Sequence, residues 1–389
     1  MQLAIVVNAY NRPAALARLL ASLQQAEYPA DTQVPLIISI DRGGSDEVRR
    51  IAHDYVWSHG HTEVMCREQH LGLVQHFFTC GDLTERFDAI VYLEDDLTVS
   101  PVFYAYAWQA LSFYQEDDRV AGLSLFGLWF NGYTQQPFVP LADGSDAFLV
   151  QVPYTQGLAF TRAQWARFAE WRHSPAATAS ATMPLHAAWS RFDREDWFPL
   201  LARFVITTGR YFVFPRVSLT TGWGDAGTHF DQASRFFQVP LQRGKQHYVF
   251  NSLDEAAAVY DSFFEIQPDR LNRLTDRLRG YDYAVDLYAI KSQANLRAEY
   301  VLTSRRCRNS IAAFGKTAWP LEMNVVEGVP GAEIFLCRAE DVRWDRWSRL
   351  QTWYDNYLYF ARGRTPRVTT VLKQTLARIM KRLSRFSTS

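Results

Sequence analysis

The chain has 389 residues, with 41 Lys and Arg against 41 Asp and Glu, and 48% apolar content, enough for one large α/β domain plus a smaller attachment. The balanced charge excludes a global polyanion-binding surface, so nucleic acid is not expected as a partner. The 4 cysteines, Cys66, Cys80, Cys307 and Cys337, lack C-x-x-C spacing, which argues against zinc and a dense disulfide framework; they read as reduced thiols. No apolar run is long enough to span a bilayer, and Leu3–Val7 follows Met1 without a basic leader. The expected location is the cytoplasm.

Leu3–Val7 is a continuous apolar run, the pattern of a strand buried on both faces, and it ends in Asn8-Ala9-Tyr10-Asn11-Arg12-Pro13. Leu16, Leu19, Leu20 and Leu23 then fall at helical spacing behind Pro13. A second strand, Pro35–Ile40, ends in Asp41-Arg42-Gly43-Gly44-Ser45-Asp46, where Ser45 or Asp46 caps a helix beginning near Glu47. A third strand is expected over Glu63–Cys66 and a fourth over Ala89–Leu93, with a helix starting behind Ser100-Pro101. This alternation predicts a mostly parallel, Rossmann-like sheet flanked by helices, with ligands outside the carboxyl ends of its strands.

Beyond Val120 the pattern predicts strands over Gly122–Leu125, Val150–Phe160 and Tyr211–Phe214, a helical context over Trp189–Leu201, and a loop or lid over Ser174–Thr182. Glu255–Phe264 and Asp269–Leu278 read as helices, and Tyr283–Ile290 and Glu333–Cys337 as strands of an appended module. After Asp355 no acid occurs, while Arg362, Arg364, Arg367, Lys373, Arg378, Lys381, Arg382 and Arg385 accumulate around a Val/Leu/Ile stripe. That tail predicts a basic amphipathic helix, lying on an anionic membrane or packed on the domain. The expected layout is residues 1–250 for binding and catalysis, 251–355 for a small α+β module, and 356–389 for the tail.

Tyr92-Leu93-Glu94-Asp95-Asp96-Leu97 places three contiguous carboxylates at the end of an apolar strand. Such charges repel unless a cation or hydrogen-bond donors share them, which points to a hard divalent metal and a phosphate-bearing substrate. The plain alternative is a solvated strand end with a capping Asp. With Val6–Pro13, Ser39-Ile40-Asp41 and Ser100-Pro101, this block resembles the nucleotide-sugar half of GT-A glycosyltransferases. It is most similar to the N-acetylglucosaminyltransferase I family (family 13), and more loosely to bacterial family 2 enzymes.

The resemblance implies a GT-A fold with these roles. Asp96 would hold Mn²⁺ or Mg²⁺ at the donor diphosphate, Glu94 and Asp95 would contact ribose and sugar, and Arg12 and Asp41 would lie near the uridine. Asp196, in Arg194-Glu195-Asp196-Trp197, matches the family's catalytic base, and the Gly227-Thr228-His229 loop echoes a later Gly-x-x-His region, with His229 either a metal ligand or an ordinary loop histidine. The implied activity is an inverting, metal-dependent transfer of a hexosyl or N-acetylhexosaminyl group. The donor would be a nucleotide sugar, UDP-linked and GlcNAc-like, and the acceptor a glycan or lipid-linked hydroxyl in cell-surface polysaccharide synthesis. Two other readings stand beside it: a nucleotidyltransferase acting on sugar phosphates, although Asn8–Pro13 is not a Gly-rich phosphate loop, and a non-catalytic glycan-binding protein on a transferase scaffold.

Overall fold

A computed structural model describes residues 1–178, 186–225 and 235–361. The chain divides into two compact units, Met1–Arg279 with Ile290–Arg297, and Gly280–Ala289 with the chain from Ala298 onward.

The first unit opens with β1 (Leu3–Ala9), α1 (Pro13–Gln24), β2 (Leu36–Ile40), α2 (Asp46–Asp54), β3 (Thr62–Cys66), α3 (Gly72–Gly81) and β4 (Ala89–Glu94). It continues with β5 (Leu97–Val99), α4 (Phe103–Tyr114), β6 (Val120–Ser124), β7 (Ala147–Val150), β8 (Leu158–Thr161), α5 (Arg162–Arg172), α6 (Pro175–Thr178) and α7 (Trp197–Thr207). Then come β9 (Tyr211–Pro215), β10 (Thr220–Gly222), β11 (Val259–Tyr260) and α8 (Pro268–Leu274). Nine strands form one sheet in the order β11-β7-β9-β6-β8-β4-β1-β2-β3. Strands β4, β1, β2 and β3 are mutually parallel, and β8 runs antiparallel to β4. The expected α/β architecture is therefore present.

Every residue of β1 and β2 is buried, as expected for strands covered on both faces. Leu3, Ile5 and Val7 join Leu16, Leu19, Leu20 and Leu23 of α1 and Phe103, Ala107 and Leu111 of α4 in one apolar cluster. The opposite face is aromatic: Tyr92 of β4 meets Phe77 of α3, Phe77 meets Trp165 of α5, and Trp165 meets Phe160 of β8.

Local propensity misleads in three places. Glu255–Phe264 holds turns and β11 instead of a helix. The Asp143 carboxylate accepts from the N–H groups of Ala257 and Ala258, and β11 adds in parallel to the edge of β7, so tertiary pairing outweighs the helix preference of the Ala run. Val150–Phe160 is split between β7 and β8, with Gly157 at φ +93° in the intervening loop. The helical context over Trp189–Leu201 is a short 3-10 turn, Ala187–Arg191, an exposed turn through Asp193–Glu195, and then α7.

The second unit contains β12 (Tyr283–Asp286), β13 (Tyr300–Thr303), β14 (Ala312–Phe314), α9 (Met323–Val326), β15 (Ile334–Arg338) and α10 (Arg346–Phe360). Its four strands are ordered β12-β13-β15-β14, and the Arg305 guanidinium donates to the buried Asp286 carboxylate at 2.9 Å beneath them. Cys307 and Cys337 are paired as a disulfide, correcting the reduced-thiol expectation for these two, while Cys66 and Cys80 are free. Spacing in sequence did not reveal a pair formed between Cys337 of β15 and Cys307, four residues past the end of β13. Among the described residues no helix is long and apolar enough to cross a membrane. The basic segment 362–389 lies outside the described residues.

Candidate active site at the carboxyl edge of the sheet

The register of the central strands assembles the site. Asn8 of β1 lies level with Ser39 of β2 and Glu94 of β4, so the loops after β1, β2 and β4 leave the same edge side by side. The N–H of Asp95 donates to the carbonyl of Asn8 at 3.1 Å, and the Asn8 amide donates to the Tyr92 hydroxyl at 2.7 Å. Gly44 lets the second loop touch the first: a Cβ there would stand 2.3 Å from the Tyr10 carbonyl oxygen, closer than any side chain tolerates.

Arg12, the residue before α1, is clamped on the acidic block. Its Nη2 lies 2.5 Å from Asp95 Oδ1 and its Nη1 2.9 Å from Asp96 Oδ2. Burial lowers the guanidinium's affinity for its proton, but Asp95 and Asp96 outweigh this and raise its pKa. Burial pushes the Asp95 carboxyl up to about 6 against the pull of Arg12. Burial, then Asp96 and Asp95, push Glu94 up to about 8, with Asp196 adding in the same direction. One guanidinium does not neutralise three crowded carboxylates.

Asp41 is spent locally. Its Oδ1 accepts from the N–H groups of Arg42 and Leu71, both at 2.8 Å, and its Oδ2 from Gly72 at 2.9 Å, with His70 Nδ1 at 3.0 Å from Oδ2. Burial opposes the charge, yet these backbone donors hold the carboxyl below its ordinary range. Asp41 thereby ties the end of β2 to the start of α3.

Asp196 reaches the site through an aromatic column. It is the residue before α7, and the adjoining Trp197 stacks on Phe77 with ring centroids 4.1 Å apart. Phe77 in turn meets Tyr92 edge-on at 5.0 Å, two residues before Glu94. This column carries the α7 N-terminus to the end of β4, close enough for Asp196 to raise the Glu94 pKa.

Two further residues emerge at this edge. Strand β5, directly after the acids, pairs antiparallel with β10, and the Trp223 N–H donates to the Asp96 carbonyl at 3.3 Å. Arg18 of α1 packs over the Trp223 ring and pairs with Asp225. Gln156 enters from the loop just before β8; its buried Oε1 has no hydrogen-bond partner among the described residues and faces Gly222. Gly157 was the available sequence signal for Gln156, but a glycine alone does not tell which neighbour it exposes. His229 lies in segment 226–234, outside the described residues.

A divalent metal fits this edge to the extent of one open ligand. Asp96 Oδ1 is buried with no hydrogen-bond partner among the described residues, a costly state for a carboxylate oxygen unless something else satisfies it. Among the described residues no group of three or more His, Cys, Asp or Glu side chains forms a ready-made cage, so substrate oxygens and water would complete the shell.

No protein-family model matches the chain, and no curated protein matches it. Among solved structures it is similar to TarS 1-349 of S. aureus, at 12% identity over 57% of this chain and 60% of that one, with a TM-score of 0.37. It is also similar to GalNAc-T7 with UDP, GalNAc and Mn²⁺, at 12% identity over 55% of this chain and 42% of that one, TM-score 0.39. A third is the mannosyltransferase PcManGT from Pyrobaculum calidifontis in complex with GDP-Man and Mn²⁺, at 14% identity over 42% of this chain and 45% of that one, TM-score 0.30. The chain thus spans 60% of the length of the first of these.

Proposed function

We propose that this chain is a GT-A-type, metal-dependent glycosyltransferase that moves a sugar from a nucleotide-sugar donor to an acceptor hydroxyl with inversion. The observation that carries the reading is the juxtaposition of the Glu94–Asp96 block, at the carboxyl edge of a parallel sheet, with Asp196 delivered by the Trp197–Phe77–Tyr92 column. Asp96 would hold Mn²⁺ or Mg²⁺, which when bound offsets charge on the departing nucleoside diphosphate. Glu94 and Asp95 face the ribose and sugar, and the backbone around Asp41 borders the base. Asp196 takes the proton from the acceptor hydroxyl as that oxygen attacks the anomeric carbon from the side opposite the leaving group. Trp223 and Gln156 wall the same edge, and His229 is proposed as a further ligand from the 226–234 loop.

The donor is proposed to be UDP-linked and GlcNAc-like, the acceptor a glycan or lipid-linked saccharide of the cell surface, and the basic tail a contact to an anionic membrane at its cytoplasmic face. The site test measures thermal shift with nucleotide sugars, with and without Mn²⁺, and then donor turnover, in wild type, Asp96→Ala and Asp196→Asn. A ligand bound only to the native state raises its melting temperature by mass action. Asp96→Ala should lose the metal-dependent shift, and Asp196→Asn should keep the shift but lose transfer. Undiminished turnover in both variants overturns the assignment, and pyrophosphate as product indicates nucleotidyl transfer instead.

A further inference from the structure

Helix α10 of the second unit is built inside out. Its inward residues, Ser348, Thr352, Asn356 and Tyr359, recur at helical spacing and are buried. Asn356 donates to the Tyr288 carbonyl and accepts from Ser304 and Lys316, and the Tyr359 hydroxyl donates to the Ala318 carbonyl. The opposite face carries Trp347, Leu350, Trp353 and Tyr354, which are 80%, 49%, 62% and 46% exposed. A helix folded for water places these two sets the other way round, and clustered exposed aromatics mark a surface that something else covers.

Charge identifies the cover. Arg343, Arg346 and Arg349 stand exposed beside the aromatic face and pair with no carboxylate among the described residues. The two acids of the helix and its cap are committed: Asp345 caps the first turn through the Ser348 N–H, and Asp355 pairs with Arg306. A second copy of this face would set arginines against arginines. The chain's own 362–389 segment carries eight Lys and Arg and no acid, and would repel it likewise. An anionic lipid leaflet satisfies both components, since Trp and Tyr favour the headgroup boundary and arginine favours anionic headgroups.

We propose that the outward face of α10 docks on an anionic membrane, with Trp347, Leu350, Trp353 and Tyr354 entering the interface and Arg346 and Arg349 meeting lipid phosphates. This adds a second contact to the one proposed for the tail, shares only its lipid chemistry, and does not depend on the glycosyl-transfer reading.

The test uses the full chain, wild type and Trp347→Ser/Trp353→Ser, in co-sedimentation with phosphatidylcholine vesicles and with vesicles containing about one third phosphatidylglycerol. Wild type should bind the anionic vesicles, with its tryptophan emission quenched by brominated acyl chains. The double variant should lose at least about tenfold in partitioning and most of the quenching, with unchanged melting temperature and donor turnover. Equal partitioning of the two proteins, no binding by wild type, or a solution dimer that the substitutions dissolve overturns the proposal. The tail reading fails separately: a chain ended after Thr365 that binds as tightly as the full chain removes the tail and leaves α10 as the contact.

Discussion

Replacing Arg12 by Ala tests whether the acidic edge is held together by a single counter-charge. The guanidinium bridges Asp95 and Asp96, whose side chains are 3% and 27% exposed, and is itself 31% exposed. Removing one partner of a fully buried pair costs roughly 3–5 kcal/mol, and solvent-exposed pairs are worth at most about 1 kcal/mol. Since only the Asp95 half is desolvated, the expected loss is about 2 kcal/mol, or a fall in melting temperature of about 4–8 °C for a unit of this size. Arg12 makes no side-chain capping bond to α1, so loss of a cap does not confound the measurement.

The assay is a double-mutant cycle in urea. Asp95→Asn removes the buried charge and leaves the Asp96 contact, so Arg12→Ala in that background should cost less than about 1 kcal/mol. Millimolar Mn²⁺ should raise the melting temperature of Arg12→Ala more than that of wild type, because the freed carboxylates then accept the ion. An Arg12→Ala cost that is the same with and without the Asp95 charge refutes the counter-charge argument.

Further outcomes follow from the same edge. Burial and Arg67 hold the His76 imidazole down to about 4 against the weaker pull of Asp41; the unfolded chain protonates first, so stability present above about pH 6.5 is lost as pH falls toward 4, by about 3 kcal/mol. Urea unfolding at several pH values should show that slope, and His76→Gln should flatten it. Gly44→Ala should cost about 1–3 kcal/mol and weaken donor binding in thermal shift, because its Cβ must displace the Tyr10 carbonyl. Trp197→Ala should cost about 3–5 kcal/mol and lower turnover more than donor affinity; Trp197→Phe, which keeps a ring on Phe77, should recover most of both.

The parallel core was legible because strands covered on both faces are apolar throughout: Leu3–Val7 and Ala89–Leu93 stand out without any partner being known. Their polar ends mark the carboxyl edge of the sheet, and the cap of α2 was readable to within Ser45 or Asp46, of which Ser45 makes the bond. The long-range contacts were not legible. That Arg12 meets Asp95 and Asp96, or that Trp197 stacks on Phe77, depends on strand order rather than on neighbours in sequence. Glu255–Phe264 shows the same dependence in reverse: the segment looks helical in isolation because the open edge of β7 and the Asp143 carboxylate lie over a hundred residues away. The α10 face was hidden for another reason, since its aromatics are helical in pattern whichever way they point.

The acids at the sheet edge are not equivalent, and their partners separate the structural from the chemical. Asp41 spends its oxygens on three backbone N–H groups and so fixes the α3 entrance. Asp95 is the more deeply buried partner of Arg12. Asp96 divides: Oδ2 joins Arg12, while Oδ1 is buried without a hydrogen bond among the described residues. A fold selected for stability alone has no reason to keep that oxygen, because an Asn or Ser with one satisfied bond would cost less. An open oxygen on the residue whose carbonyl accepts from the Trp223 N–H is what a ligand-completed site would use. Under the proposed function the binding chemistry falls on Asp96, and Arg12 is the counter-charge that bridges Asp95 and Asp96.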